Sequence, residues 1–149
     1  MSWLCVWFAA KYFSKEFKKH FVAITKNLTV GDPLIETSKQ GAIVSKQHFE
    51  KIINCIQLAK QEGGTILCGG YAVKPKGRCA NGYFIQPTII EGLNQQCKTN
   101  QEEIFGPVVT ILPFDTMDEA IEMANSTSYG LAASVWTQDI SKANQLAIK

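Results

Sequence analysis

The sequence predicts an α/β fold in which βαβ units build a mostly parallel sheet. Two runs in the last third carry this prediction. "VVTILPF" (residues 108–114) is continuously apolar and rich in β-branched residues, and "LAASVWT" (residues 131–137) has the composition of a second buried strand. A helical pattern follows each run, and this alternation is typical of a parallel sheet. With 149 residues, 46% of them hydrophobic, the chain is long enough for one domain over residues 1–149 with a real core.

The N-terminal part predicts a short strand and an amphipathic helix. The opening "MSWLCVWFAA" has no positively charged region before its apolar run, which is shorter than the ~20 residues that span a bilayer. We therefore interpret it as a buried strand or a non-native start rather than a signal peptide. Large apolar residues then recur every three or four positions, which predicts one buried helical stripe. They are Phe13, Phe17, Phe21, Ile24 and Leu28. "VGDP" (residues 30–33) ends this helix.

The middle of the chain predicts a second helix and two extended segments. Ser45 is a suitable N-cap, and Gly63 and Gly64 end the helical pattern. The predicted buried face consists of Phe49, Ile52, Ile53, Ile56 and Ala59. "TILC" follows as a strand, and residues 71–81 are expected to form an exposed loop. "GYFIQPTII" is extended, and Pro87 within it favours an edge strand or a bulge over a central strand.

Two capping signals organise the C-terminal helices. Thr116 and Glu119 have capping-box spacing and open a helix expected to bury Ala120, Ile121 and Ala124. Asp139 caps a last helix, whose expected buried residues are Ile140, Ala143, Leu146 and Ala147. Because this pattern has no C-cap, we expect the chain to be a piece of a larger protein.

Composition argues against several classes of partner. The net charge is +2, and the lysines near the start are not interleaved with aromatic residues, so we predict no nucleic-acid partner and no membrane segment. Five cysteines without a C-x-x-C pair and two histidines give little support for a zinc site. Scattered cysteines at apolar positions are typical of reduced core residues, which favours a cytoplasmic protein. His20 and His48 fall on helix surfaces and are expected to be solvated rather than catalytic.

Five motifs in order resemble one family. "VGDP", "GAIVSKQHFEKI", "GYFIQPTII", "EEIFGPVVTILPF" and "ANSTSYGLAASVWTQD" cover roughly residues 10 to 149. Together they resemble the catalytic-domain segment of NAD(P)-dependent aldehyde dehydrogenases, so the fold is expected to be a partial catalytic domain of that type, truncated at both ends. An unrelated α/β domain would have to match all five by chance. "SKQH" around His48 looks most like the branch acting on 2-aminomuconic and hydroxymuconic semialdehydes.

The resemblance implies an oxidoreductase that oxidises an aldehyde to a carboxylic acid. In this family a cysteine thiolate attacks the aldehyde to give a thiohemiacetal, hydride passes to NAD or NADP, and a glutamate activates the hydrolytic water. The family also implies oligomers, so a homo-oligomer or association with a complete dehydrogenase is expected.

Two cofactor-binding residues carry over from the resemblance. Glu103 matches the family glutamate that accepts hydrogen bonds from the nicotinamide ribose hydroxyls, and Phe105 matches the aromatic beside the nicotinamide end. The alternatives are a surface carboxylate and a core aromatic. Glu102 is interpreted differently, because Thr99 lies three residues before it and suggests a local capping box. Gly106 and Pro107 are expected to shape the turn into the next strand.

No catalytic residue carries over. Cys5 lacks the preceding Gly-Gln of the family nucleophile, and its apolar neighbours would raise the pKa of a thiol. The glycine-rich dinucleotide turn, the base glutamate and the closing strand of the family are also absent from the sequence. We therefore expect no complete dinucleotide-binding domain, doubtful NAD(P) binding and no activity from this chain alone. The alternative is a non-catalytic binding protein with the same fold.

Overall fold

A computed structural model describes residues 6–10, 14–130 and 132–148 of the chain. Its helices are α1 (Ser14–Lys26), α2 (Lys46–Gln61), α3 (Lys98–Gln101), α4 (Met117–Asn125) and α5 (Ile140–Ala147). Its strands are β1 (Val6–Ala10), β2 (Thr65–Cys68), β3 (Ala72–Val73), β4 (Phe84–Ile85), β5 (Thr88–Glu91) and β6 (Val108–Phe114).

The main sheet has four strands in the order β1-β6-β5-β2. β6 is parallel to both of its neighbours, with Thr110 opposite Val6 on β1 and opposite Ile90 on β5. β2 adds to the outer side of β5 in the antiparallel sense. The prediction of an α/β fold with a mostly parallel sheet is therefore confirmed. β3 and β4 form a separate two-stranded sheet.

Helices cover both faces of the sheet, as the alternating side chains of β5 show. Ile89 belongs to a cluster with Cys68, Ile111 and the half-buried Phe17 and Phe21 of α1. The next residue, Ile90, belongs to a second cluster that contains Ile52, Ile56 and Ala59 of α2. Since successive strand residues point to opposite faces, α1 and α2 lie on opposite sides of the sheet.

The predictions for α2 are confirmed. The hydroxyl of Ser45 accepts a hydrogen bond from the His48 backbone N–H at 3.1 Å. Ile52, Ile56 and Ala59 are fully buried, as expected for the inner stripe of an amphipathic helix. After the helix, Gly63 adopts a φ of +90°, a conformation that glycine reaches without steric cost.

The predicted strand at residues 131–137 is wrong. Leu131 lies outside the described residues, and residues 132–137 form no strand and are exposed. Val135 is 45% and Trp136 is 91% exposed. An apolar run becomes a strand only where a partner supplies ladder hydrogen bonds, and within the described residues none pairs with this segment. The parallel pairs come from β1, β5 and β6 instead.

Pro87 does not mark an edge strand, so that alternative of the prediction is wrong. The other alternative, a bulge, has a counterpart on the partner strand, because the register between β2 and β5 shifts between Ile66 and Cys68. β5 begins one residue later and lies in the interior of the sheet, between β6 and β2. The ladder starts with the Thr88 N–H, which donates to Pro107 O at 2.9 Å. Pro87 therefore stands just before the point where its missing N–H would be needed.

Several predicted faces are displaced or shortened. Ile24, expected in the α1 stripe, is 65% exposed, while the adjacent Thr25 is buried. Within the expected loop 71–81, Ala72 and Val73 pair with β4.

The predicted caps of the two C-terminal helices, Thr116 and Asp139, are confirmed, because each side chain accepts hydrogen bonds from helix N–H groups. Neither helix fully buries a residue, however, and Ala124 and Ile140 are exposed.

Candidate functional site

The two predicted cofactor-binding residues lie on the loop of residues 102–107, between α3 and β6. Ile104 at its centre is 6% exposed and belongs to the core under α2. The residues on either side stay nearer the surface, since Glu103 is half-buried and Phe105 is 48% exposed. The loop is thus anchored by one buried side chain, and the residues on either side of it, one acidic and one aromatic, remain at least partly accessible.

Phe105 has a left-handed backbone. Its φ is +60°, and it is the one non-glycine residue with a positive φ in the part of the chain that the structure describes. This conformation costs an L-residue roughly 1–2 kcal/mol and persists only where the surroundings impose it. Such residues concentrate at binding and active sites, which makes this loop a candidate functional site.

Helix α2 holds the backbone of the loop through two side chains. The His48 ring nitrogen Nε2 lies 2.5 Å from the Phe105 carbonyl oxygen, and Lys51 Nζ donates to the Glu103 carbonyl oxygen at 2.8 Å. A carbonyl oxygen only accepts, so the tautomer that fits carries its proton on Nε2. Residues three apart share a helix face, which explains why both contacts come from one side of α2.

The rings of His48 and Phe105 are also in contact. Their centroids are 5.4 Å apart and their planes meet at 77°, an edge-to-face arrangement. His48 is half-buried. It is therefore only partly solvated on the helix surface, whereas the side chain of His20 is 71% exposed, as expected. Helical spacing alone could not have revealed this contact, because Phe105 lies 57 positions away in sequence.

Gly106 and Pro107 fix the exit of the loop into β6. A Cβ at Gly106 would lie 2.6 Å from Ile52 Cδ1, so a larger residue here would displace the buried Ile52 side chain of α2. Pro107 O accepts from the first residue of β5, which joins the end of the loop to the sheet. This agrees with the expectation that both residues shape the turn.

Glu102 and Glu103 have different surroundings, although Thr99 does not cap α3 as predicted. Thr99 is buried, and its N–H and hydroxyl both donate to Glu62, at 3.2 and 2.6 Å. Glu62, at the end of α2, thus caps the start of α3 from a different helix. Glu102 is exposed, with Oε1 3.6 Å from Lys98 Nζ. Its role is local, as expected, but the mechanism is an ion pair rather than a capping box.

The surroundings of Glu62 lower the pKa of its carboxyl group, which favours this capping role. Burial by itself raises the pKa, but the hydrogen bonds from Thr99, Cys97 and Lys98 outweigh it and lower the pKa below its usual range. Glu62 is therefore ionised at neutral pH, where a negative charge suits the start of α3. This links the end of α2 to the segment that carries Glu103.

Three of the four cysteines within the described residues do not resemble an activated nucleophile. Burial raises the pKa of the Cys55, Cys68 and Cys97 thiols, and a catalytic thiol needs the opposite shift. Cys5 lies outside the described residues, so its assignment stays a prediction. Across residues 6–10, 14–130 and 132–148, no three His, Cys, Asp or Glu side chains are placed to hold a metal. The same residues include no helix with the length and hydropathy of a membrane span.

The loop has the chemistry to contact the nicotinamide end of a dinucleotide. An ionised carboxylate has two acceptor oxygens, which suits two neighbouring ribose hydroxyls, and an exposed aromatic ring supplies an apolar surface next to them. The backbone of both residues is already fixed by α2, so little order has to be gained on binding. The residues present therefore fit such a cofactor.

The α/β architecture is that of solved aldehyde dehydrogenases. An NAD+ complex of the aldehyde dehydrogenase from Bacillus cereus is 36% identical in sequence and superposes with a TM-score of 0.88. A double mutant of betaine aldehyde dehydrogenase from Staphylococcus aureus, in complex with NAD+, is 33% identical with a TM-score of 0.91. The alignments cover 96% and 97% of this chain, and 28% and 29% of those chains.

The chain belongs to the aldehyde dehydrogenase family. The sequence profile of this family matches residues 5–149. Among characterised relatives, 4-trimethylaminobutyraldehyde dehydrogenase of Oryzias latipes is 42% identical over 141 residues, which are 94% of this chain and 28% of that protein. The chain thus spans between a quarter and a third of the length of these relatives. The muconic semialdehyde branch stays a prediction.

Proposed function

We propose that this chain supplies one wall of the nicotinamide site of an enzyme that oxidises aldehydes with NAD or NADP. The observation that carries the proposal is the paired arrangement of Glu103 and Phe105. A half-buried carboxylate and an exposed aromatic flank a buried isoleucine, and α2 holds the carbonyl of each. The NAD+ complexes among the structural relatives support the same cofactor class.

Glu103 orients the cofactor and Phe105 limits its movement. The carboxylate of Glu103 would accept hydrogen bonds from the two ribose hydroxyls of a bound cofactor. The ring of Phe105 would supply an apolar surface beside the nicotinamide end. Bound NAD(P)+ supplies the hydride acceptor, and rigid placement of that acceptor is what the protein contributes. The choice between NAD and NADP is made at the adenosine ribose, far from this loop.

We further propose that the chain alone does not turn over aldehydes, because no residue of its sequence matches the family nucleophile or base. The aldehyde itself is undefined, and the names of the relatives suggest aldehydes of cationic amines as the first substrates to test. Cys55, Cys68, Cys79 and Cys97 are free thiols, which supports the proposed cytoplasmic location.

A second candidate function is association with a complete dehydrogenase or with another copy of this chain. The exposed apolar side chains near the C-terminal end favour it. Trp136 is 91%, Ile140 73% and Ile148 84% exposed. Exposed apolar groups of this size are typical of surfaces that other chains cover. Size-exclusion chromatography with light scattering separates the two candidates, since a stable homodimer or a co-eluting dehydrogenase supports association.

The experiment that tests the main proposal uses a chimera. Residues 14–148 of this chain replace the matching segment of the Bacillus cereus enzyme, whose own nucleophile and dinucleotide domain are retained. We expect the chimera to reduce NAD+ in the presence of betaine aldehyde or 4-trimethylaminobutyraldehyde. A folded chimera that binds neither NAD+ nor NADP+ would contradict the proposed site.

The 149-residue chain is the control in the same assay. We expect no reduction of NAD+ or NADP+ above the rate without protein. Measurable turnover that disappears in Cys5→Ser would show that the chain carries its own nucleophile and would overturn the proposal of inactivity.

A further inference from the structure

His48 is a polar side chain that contacts Phe105, the loop residue with the positive φ, and neither the fold nor the family match assigns it a role. It lies in the first turn of α2, where Ser45 caps the helix through the His48 N–H. Its Nε2 reaches the carbonyl of Phe105, and its ring lies edge-to-face with the Phe105 ring. The one left-handed non-glycine residue among those described is thus contacted by a single side chain at both its backbone and its ring.

We propose that His48 is a positioning residue that holds Phe105 in its left-handed conformation and thereby keeps the Phe105 ring at the cofactor wall. This inference rests on the proposed function of the loop only in that the loop is taken to contact the cofactor. The positioning itself depends on the contacts within this chain.

The neighbours of Phe105 explain why a hydrogen bond to this carbonyl has such an effect. Ile104 is buried in the core, and Gly106 is pressed against Ile52. With both neighbours fixed, Phe105 can relax toward a negative φ only by rotating the peptide planes on either side of it. The carbonyl of Phe105 belongs to the second of these planes, so a donor from α2 resists that rotation. Without the donor, the peptide turns and carries the ring away from Glu103.

Lys51 does not substitute for His48. Its Nζ donates to the Glu103 carbonyl, two residues earlier, and therefore fixes the peptide before Ile104. Loss of His48 leaves this bond and the buried Ile104 in place. The expected change is confined to Phe105 and Gly106 and does not spread to the core.

The chain itself offers a direct spectroscopic test. Phe105–Gly106 is the one Phe-Gly pair in the sequence. Labelling with carbonyl ¹³C phenylalanine and ¹⁵N glycine therefore gives a single correlated signal that reports the Phe105 carbonyl. The eleven glycines provide an internal check of the fold, because ten of them lie elsewhere.

Three variants separate the donor from the ring. His48→Ala removes both, His48→Phe keeps a ring without a donor, and His48→Gln keeps an N–H donor without the ring. We expect the Phe105–Gly106 signal to move in the Ala and Phe variants and to return toward its original position in the Gln variant. His20→Ala, which changes the other histidine, should leave it unchanged. A signal that stays in place in His48→Ala, or that moves together with all other glycine signals, would overturn the proposal.

A second measurement in the chimera links the position of Phe105 to the cofactor. Loss of one hydrogen bond that holds a binding group is expected to raise the KM for NAD+ about three- to tenfold in His48→Ala, with the KM for the aldehyde unchanged. His48→Gln should recover most of this loss. If the unaltered chimera binds no NAD+, the proposed function fails while the spectroscopic test still stands. If the chimera binds NAD+ and His48→Ala has an unchanged KM, this inference fails and the proposed function stands.

Discussion

The segment from α2 to β6 and the segment after α4 have similar apolar patterns but opposite degrees of burial. In the first, Ile52, Ile56 and Ile90 are fully buried. In the second, Trp136 and Ile140 are 91% and 73% exposed. The spacing of apolar residues therefore specifies which face of a helix or strand can be buried, whereas a neighbouring element determines whether that face is buried.

The same contrast bears on function. The candidate cofactor wall lies in the well-packed segment, where Ile104 and Gly106 contact the core and α2 holds two carbonyls of the loop. The loop is therefore held by α2 and by the core, both of which belong to the described part of this chain. The exposed segment lacks such support among the described residues, and its apolar side chains are available to another chain.

The largest expected effect breaks the packed segment directly. Ile56→Ala removes a fully buried side chain from the cluster under α2 and should lower the free energy of unfolding by about 2–5 kcal/mol. Ile140→Ala is the matched change in the exposed segment and should alter it by less than about 0.5 kcal/mol. Urea titrations followed by circular dichroism measure both. Similar losses for the two variants would show that α5 is packed in solution, contrary to the structure.

A smaller effect concerns the link between α2 and α3. Glu62→Gln replaces the charged acceptor that caps α3 and should cost about 1–2 kcal/mol at neutral pH. The folded pKa of Glu62 lies below its unfolded value, so its stabilisation is complete above the unfolded pKa and is lost as the pH falls through the folded one. The two proteins should therefore converge in stability on acidification. Glu36→Gln, at an exposed position, serves as the control, and a constant difference at every pH would contradict the role of the charge.

The smallest effect lies at the surface, in the ion pair of Asp32 and Arg78. The hydrogen bond from Arg78 lowers the pKa of Asp32 to about 2, from an ordinary value of 3.8. Arg78→Ala should return this pKa toward 3.8, as measured by NMR titration of the carboxyl carbon. The stabilisation from this pair is present above pH 3.8 and fades as the pH falls toward 2. An unchanged pKa in Arg78→Ala would show that the pair does not form in solution.

Local features of the fold could be predicted from the sequence, and those that depend on distant partners could not. Ser45, Thr116 and Asp139 act within three residues of themselves, so their caps were predictable. The hydrogen bond between Thr99 and Glu62 joins residues 37 apart in sequence. The spacing of Thr99 and Glu102 fits a local capping box, so the sequence favoured the wrong partner. The strand at residues 131–137 failed for a related reason, because composition does not show whether a neighbouring strand is present.

The candidate site was predicted in part. The resemblance pointed to Glu103 and Phe105, and the structure places them on one loop beside the core. The left-handed backbone of Phe105 and its contact with His48 were missed. A phenylalanine before Gly-Pro gives no sign of a positive φ, because local preference disfavours that conformation and the contact with His48 joins residues far apart in sequence.

The most direct test of the proposed function compares the two adjacent acids. In the chimera, Glu103→Gln removes the charged acceptor from the proposed wall. Glu102→Gln is the matched control, because the carboxylate of the neighbouring Glu102 forms an exposed ion pair with Lys98. We expect Glu103→Gln to lower kcat/KM for NAD+ by about tenfold or more, and Glu102→Gln to leave it within about twofold. Equal effects of the two substitutions, or none from Glu103→Gln, would contradict the assignment of this loop to the cofactor.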